Sequence, residues 1–371
     1  MKYYIIAGEA SGDLHGSNLM KSLLKHDSNA EFRFWGGELM QNVGGTLVKH
    51  YRDLAFMGFI EVVFNLKTIL NNIKFCKKDI EAFQPDALIF IDYPGFNMRI
   101  ASWAKQKKIP THYYISPQIW AWKENRIKAI KRDVDYMYVI LPFEKDFYEK
   151  KHLFPVDFVG HPLLDAIQNR KETTTEEFRK ENNLSEKPII ALLPGSRKQE
   201  INTKLKVMLS VVDYFTDYQF VIAGAPSQDY SFYEPFLVNK NVHFVSNKTY
   251  DLLNVAHAAL VTSGTATLET ALFNVPEVVC YKGSWISYQI AKRIITLQYI
   301  SLVNLIMDKP VVTELIQGEL NTKNLKAELQ KIVSGAAREK ILQNYVELKH
   351  KLGDGGASDK TAQLIVSRLK N

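Results

Sequence analysis

The chain predicts an α/β protein of two lobes, each a parallel sheet with helices on both faces. Three observations carry that expectation. The chain's 371 residues exceed what one ordinary hydrophobic core encloses. Short runs rich in β-branched and aromatic residues alternate with longer helical stretches, the pattern of a doubly wound parallel sheet. That alternation breaks off near residue 168 and then restarts.

In the first lobe the expected strands are Tyr3–Ala7, Phe32–Gly36, Ala87–Asp92, Thr111–Ile115 and Tyr136–Leu141. Beyond His161-Pro162 the chain turns polar, and Thr173-Thr174-Thr175 precedes a helix-like stretch that opens the second lobe. There the expected strands are Ile189–Leu193, Gln219–Ala223, Val242–Val245, Ala258–Val261 and Val278–Tyr281. The lobes therefore span 1–167 and 168–337, with a cleft expected between them. The tail reads as two helices split by Gly353-Asp354-Gly355-Gly356, and these helices (338–371) are expected to pack back on the first lobe.

Composition narrows the partners. A hydrophobic fraction of 46% with 23% charged residues is that of a soluble globular protein. Lys+Arg number 47 against 40 Asp+Glu, a formal charge of +7, which suits phosphorylated ligands or an anionic lipid surface. No nucleic-acid-binding signature accompanies it, so nucleic acid is not expected. Cys76 and Cys280 are far apart in apolar settings and read as reduced packing residues. No apolar run nears the ~20 residues of a membrane span, and the N-terminal run is too short for a signal peptide. A cytoplasmic protein with at most peripheral membrane contact is expected.

Ligands of open parallel sheets bind beyond the carboxyl ends of the strands, and three loops there stand out. Gly8-Glu9-Ala10-Ser11-Gly12-Asp13 follows the first strand. It fits neither the dinucleotide nor the P-loop fingerprint. It reads either as a tight turn, with Ser11 or Asp13 capping a helix from about Leu14, or as an acceptor-side contact through Ser11 and Gly12. Leu193-Pro194-Gly195-Ser196-Arg197 follows the first strand of the second lobe, where backbone N–H groups beside an arginine suit phosphate; a buried structural arginine is the competing reading. Thr262-Ser263-Gly264-Thr265-Ala266-Thr267-Leu268-Glu269 offers N–H groups for a diphosphate and an acid for ribose hydroxyls. It also resembles a capping box. Together the two loops favour a nucleotide-diphosphate site built from Gly195, Ser196, Arg197, Ser263, Gly264, Thr265, Ala266, Thr267 and Glu269.

In the first lobe, Ile89-Phe90-Ile91 ends at Asp92, placed to accept a proton from an attacking hydroxyl or merely to cap a turn. Asp133-Val134-Asp135 has the look of a D-x-D metal motif but precedes its strand, so it is expected to be solvated surface charge. Neither a metal nor another cofactor is expected. Leaving-group charge then falls to Arg197 and helix dipoles.

These motifs, in this order, resemble the lipid-A-disaccharide synthase family, glycosyltransferases of the GT-B architecture, along nearly the whole chain. Further segments that carry the resemblance are Met57–Val62, Ile91-Asp92-Tyr93-Pro94, Ser116–Trp122, Leu141-Pro142-Phe143-Glu144, Val159-Gly160-His161-Pro162 and Ser301–Leu305. The resemblance implies transfer from UDP-2,3-diacylglucosamine to 2,3-diacylglucosamine 1-phosphate, with inversion, giving a β-1,6 disaccharide 1-phosphate and UDP. It also implies Asp92 as base, Arg197 and Asn304 as residues needed for activity, and a less settled role for Glu9. Where the family often carries a second acid, this chain has Gly95.

Pro117, Trp120 and Trp122 read either as the lining of the acceptor pocket or as a packed loop, and His161 reads as a hinge or turn residue. Phe59, Val62, Val63, Leu66, Ile69, Leu70 and Ile73 share one apolar helical face. Ile60, Phe64, Lys67 and Lys74 lie off it and suit the anionic cytoplasmic face of the inner membrane; core packing is the competing reading. Alternatives are another GT-B enzyme on UDP-N-acetylglucosamine, whether a 2-epimerase or a lipid-intermediate transferase, and a non-catalytic nucleotide-sugar-binding protein at the membrane surface. Homodimer formation is left open.

Overall fold

The computed structural model describes residues 1–54, 66–170, 172–238, 241–283, 288 and 297–370. The chain divides into two compact units, one of residues 1–169 with 352–371 and the other of residues 170–351. The helix Ala336–Leu352, expected with the first lobe, thus belongs to the second unit, while Ala357–Lys370 belongs to the first. Tyr345 of the former is fully buried and its hydroxyl donates to the Val275 carbonyl (3.3 Å), tying that helix to its own unit.

The first unit holds β1 (Lys2–Ala7), β2 (Glu31–Gly36), β3 (Thr46–His50), β4 (Ala87–Ile91), β5 (Thr111–Tyr114), β6 (Tyr136–Val139) and β7 (Asp157–Phe158). All pairings are parallel, in the order β3-β2-β1-β4-β5-β6-β7. Side chains alternate across the pleat. Tyr4 and Ile6 enter one core with Phe90 and Tyr113, and Tyr3, Ile5 and Ala7 enter the other with Ile89 and Ile91. Burial on both faces explains why these strands read as continuous apolar runs. The second core is closed by Ala362, Ile365 and Val366 of the last helix, against Leu19, Met20 and Leu23 of the helix Ala10–His26.

The Asp165 carboxylate locks that last helix in place by accepting the N–H groups of Gly356 (2.6 Å), Ala357 (3.3 Å) and Ser358 (2.9 Å). His161 caps the helix Pro162–Gln168, its Nδ1 accepting from Leu163 N at 3.2 Å. Burial beside His15 holds its imidazole at about 3, hence neutral, and the expected turn role stands.

The second unit holds β8 (Ile189–Leu193), β9 (Gln219–Gly224), β10 (Val242–Ser246), β11 (Ala256–Thr262), β12 (Glu277–Tyr281) and β13 (Thr313–Ile316). These are again all parallel, in the order β10-β9-β8-β11-β12-β13. The polar stretch after residue 172 forms the helix Thr175–Glu181, capped by Thr174 in a full capping box with Glu177.

Three further expectations meet the structure here. Asp133 is buried and held by Arg132 (2.7 and 2.6 Å), and Asp135 accepts from Thr111 N (3.0 Å). Both are structural anchors rather than solvated charge. Among the described residues no three His, Cys, Asp or Glu side chains are grouped to hold a metal ion. On the helix Leu66–Phe83, Ile73 is buried, but Leu70, expected on the same face, is 49% exposed beside exposed Lys67 and Lys74. Ile60 and Phe64 lie outside the described residues. Among those described, no helix is long and apolar enough to cross a membrane.

Candidate active site

Each sheet contains one point where the chain leaves two adjacent strands toward opposite edges, and such points open a crevice at the carboxyl ends. In the first unit it lies between β1 and β4, paired through Ala7 and Ile91. The loops leaving these strands are Gly8-Glu9 and Asp92-Tyr93.

Asp92 and Tyr93 both adopt left-handed backbone, with φ of 44° and 49°. Such geometry costs non-glycine residues roughly 1–3 kcal/mol each and persists only when neighbours impose it. Here the Asp92 carbonyl accepts from Tyr113 Oη (2.7 Å) and Asn97 Nδ2 (2.8 Å), while Asp92 N donates to the Tyr114 carbonyl (3.2 Å). Gly8 completes the fit, because a Cβ there would stand 2.4 Å from the Tyr93 ring. Burial, the Glu9 charge and, more weakly, Glu144 push the Asp92 carboxyl up to about 7, against an opposing hydrogen bond from the Tyr93 backbone. A carboxyl poised near neutrality at a switch point has the properties of a general base. It lines a cavity of about 170 Å³ with Pro94, Pro117, Gln118, Ile119, Trp122 and Arg126.

Pro117 and Trp122 are therefore brought to Asp92, whereas Trp120 is not. Its Nε1 donates to Glu144 (3.1 Å) and its ring packs edge-on against Phe143 at 4.9 Å. Glu144, given no role from sequence, organises this loop. Its oxygens accept from Ser116 Oγ (2.6 Å), Trp120 Nε1, Ile140 N (3.1 Å) and Leu141 N (2.9 Å). The glutamate three residues beyond Leu141 was the available signal.

The helix after β1 starts at Ala10 rather than near Leu14, so neither Ser11 nor Asp13 caps it. Ser11 is exposed, and Gly12 is buried where a Cβ would stand 3.0 Å from Ala7 Cβ, packing helix on strand. Asp13 instead accepts from Gly37 N (2.8 Å), Leu39 N (3.1 Å) and Met40 N (3.0 Å), capping the next helix, Glu38–Val43.

In the second unit the switch point lies between β8 and β11, paired through Leu193 and Val261. The loop 194–197 leads into the helix Lys198–Leu209, and Ser263-Gly264 leads into Thr265–Leu272. Gly195 has a φ of 112°, and a Cβ there would stand 2.7 Å from Glu200 Oε2, so the turn needs glycine. Arg197 is exposed at the helix start and donates to Glu200 (3.0 Å). Ser196, Gly264 and Thr265 are exposed, and Ser263 and Ala266 half-buried, so this edge of the second sheet is open to solvent.

Thr267 does not: it is fully buried and its hydroxyl donates to the Gly264 carbonyl (2.8 Å), shaping the turn. Glu269 accepts from Tyr250 Oη (2.8 Å), and burial raises its carboxyl. Because Gly264 is the cap, Thr265 and Glu269 form no capping box.

Lys204, unforeseen, lies buried beneath this edge, donating to Thr262 Oγ1 with Glu200 Oε2 at 3.8 Å. Burial depresses its ammonium. Its position on a helical face carries no local signal. Asn304, the residue expected to be needed for activity, is buried in the second unit. Its Nδ2 donates to the Val312 carbonyl (2.9 Å) and Glu314 (3.0 Å), and its Oδ1 accepts from Val311 N (2.8 Å) and Val312 N (2.9 Å). With all four amide positions used, it positions the chain before β13 and presents no group to a ligand.

Comparison with known proteins agrees with this architecture. The family model described as lipid-A-disaccharide synthetase matches residues 3–366. Lipid-A-disaccharide synthase of Syntrophus aciditrophicus is 39% identical over 99% of this chain and 97% of its own length. That of Geobacter metallireducens is 37% identical over 98% and 96%. Among solved structures, UDP-GlcNAc 2-epimerase of Neisseria meningitidis bound to UDP-GlcNAc superposes with a TM-score of 0.71 at 14% identity, covering all of both chains. The glycotransferase of kitacinnamycin gives 0.68 at 13%, over 99% and 98%. At such identities these structures show the shared fold, two parallel sheets flanked by helices as in GT-B glycosyltransferases. By the family match and these relatives, the chain belongs to the lipid-A-disaccharide synthases, glycosyltransferases of lipid A biosynthesis.

Proposed function

We propose that this enzyme joins UDP-2,3-diacylglucosamine to 2,3-diacylglucosamine 1-phosphate by a single inverting displacement, with Asp92 as the base. The acceptor's 6-hydroxyl oxygen bonds to the donor's anomeric carbon and its proton passes to Asp92. The bond from that carbon to the β-phosphate oxygen breaks, and UDP departs with the electron pair. The observation that carries this reading is a carboxyl held near 7 at a switch point, beside a cavity suited to one sugar ring. Charge on the departing diphosphate meets Arg197, the N–H groups at the start of Lys198–Leu209, and the buried Lys204. Glu9 keeps the Asp92 carboxyl basic through its own charge. Asn304 supports the fold near β13.

The enzyme acts, on this reading, at the cytoplasmic face of the inner membrane, where its acylated substrates reside. Support comes from the net charge of +7 and from exposed Lys67, Leu70, Lys74 and Phe75 on the helix Leu66–Phe83. The test supplies both lipid substrates in detergent with EDTA and follows UDP release and product mass. A disaccharide 1-phosphate formed by the wild type, with Asp92→Asn binding UDP but turning over at least 100-fold more slowly, is expected. Undiminished turnover by Asp92→Asn removes Asp92 as the base, and epimerised UDP-sugar in place of disaccharide overturns the reaction.

A further inference from the structure

The cavity beside Asp92 has a second charged wall. Arg126 lines it together with Asp92 and stands at the end of the short turn Glu124–Arg126 that follows Lys123, whose φ is 57°. Trp122, 44% exposed, gathers two cations: Lys123 Nζ lies 4.3 Å and Arg126 Cζ 5.4 Å from its ring centroid. Neither cation forms a salt bridge among the described residues. The nearest acid in sequence, Glu124, is already engaged by Lys151 (2.8 Å) and His152 (3.0 Å). Exposed Lys123 and half-buried Arg126 thus set two positive charges around one indole at the mouth of this cavity, an arrangement that favours an incoming anion.

We propose that Arg126, assisted by Lys123, forms a phosphate-monoester subsite for the acceptor, so that the cavity holds a sugar phosphate with its hydroxyl toward Asp92 and its phosphate on the guanidinium. This rests on the reading of Asp92 as the base of an acceptor site. The planar fork of arginine matches a phosphate face bidentately, and lysine adds a point charge. At about 170 Å³ the cavity falls below the roughly 300–1,000 Å³ that encloses drug-sized molecules. It therefore suits a sugar headgroup and leaves acyl chains outside. A base at one end and a fork at the other would select an acceptor bearing both hydroxyl and phosphate, and fix which hydroxyl faces the donor.

The test compares full-length wild type, Arg126→Gln, Arg126→Lys and Lys123→Gln on two acceptors in detergent, 2,3-diacylglucosamine 1-phosphate and its dephosphorylated form. Arg126→Gln should lower kcat/KM for the phosphorylated acceptor by about 10- to 100-fold, the scale of a hydrogen bond to a charged group. The dephosphorylated acceptor should be left unchanged. Arg126→Lys should recover part of the loss, and Lys123→Gln should show a smaller one. Equal losses on both acceptors, or none on either, overturn the proposal.

Binding of glucosamine 1-phosphate, followed by Trp fluorescence and calorimetry, gives a readout independent of turnover. Loss of that binding in Arg126→Gln from a wild type inactive on both acceptors would keep the subsite and remove the proposed reaction. No binding by the wild type removes the subsite even if transfer proceeds. Inorganic phosphate that competes as well as the sugar phosphate would make this a free-anion site and refute the acceptor assignment.

Discussion

Replacing Asp92 by asparagine should make the protein more stable and the enzyme nearly inactive, and the stabilisation should depend on pH. The carboxyl stands at about 7 in the folded chain against an ordinary 3.8. Between those values the folded state holds a proton that the unfolded state has released, so stability falls as pH rises through that window. At about 1.4 kcal/mol per pKa unit, ionised Asp92 costs the native state roughly 4 kcal/mol at pH 8 and almost nothing at pH 4. Asparagine keeps the shape and carries no charge, so Asp92→Asn should gain up to about 4 kcal/mol at pH 8, or on the order of 10 °C in melting temperature. Urea unfolding followed by circular dichroism at pH 4.5 and pH 8 measures the difference. In the wild type, kcat/KM should rise about tenfold per pH unit below 7 and level off above it. A stability gain equal at both pH values, or an acid limb near 4, would refute the reasoning.

Gly95→Asp should fold normally, since a side chain there meets nothing within 4 Å. The added carboxylate at the start of the helix after Asp92 should shift the acid limb of kcat/KM to higher pH, and an unmoved limb would show that the two acids do not interact. Asn304→Ala should cost about 3 kcal/mol in urea unfolding, by leaving Val311 N and Val312 N without their acceptor. Lost turnover with full stability would instead return Asn304 to a direct catalytic role. Lys204→Met keeps the buried stem and removes the ammonium. Calorimetric UDP affinity should fall about tenfold without loss of folding stability, because the charged form is already penalised by burial. Unchanged affinity would reduce Lys204 to a tie on Thr262.

The strands that carry these loops were legible because a parallel strand buried on both faces leaves an unbroken apolar run, as in Ile189–Leu193. The same physics hid β3, β7 and β13. Thr46–His50 and Thr313–Ile316 are half-exposed and mixed in polarity, and Asp157–Phe158 is two residues long. Glycines and acids at strand ends marked Asp92 and the Gly195 turn. Roles fixed by distant partners were not readable: Asp13 reaches across to Gly37, Glu144 gathers Ser116 and Trp120, and Lys204 lies under Thr262. Asn304 shows the converse, a residue picked out for chemistry whose hydrogen bonds are all spent on scaffold.

The way the chain is threaded also dictates an order of assembly. Because residues 170–351 make a complete unit between the two parts of the other, a chain emerging from the ribosome finishes its later half first. Leu19, Met20 and Leu23 stay uncovered until Ala362, Ile365 and Val366 arrive to seal them. Asp165 acts as the latch that receives this late segment. Until then the apolar face of the helix Ala10–His26 lacks its cover, and the unit that bears Asp92 closes only when the helix Ala357–Lys370 docks.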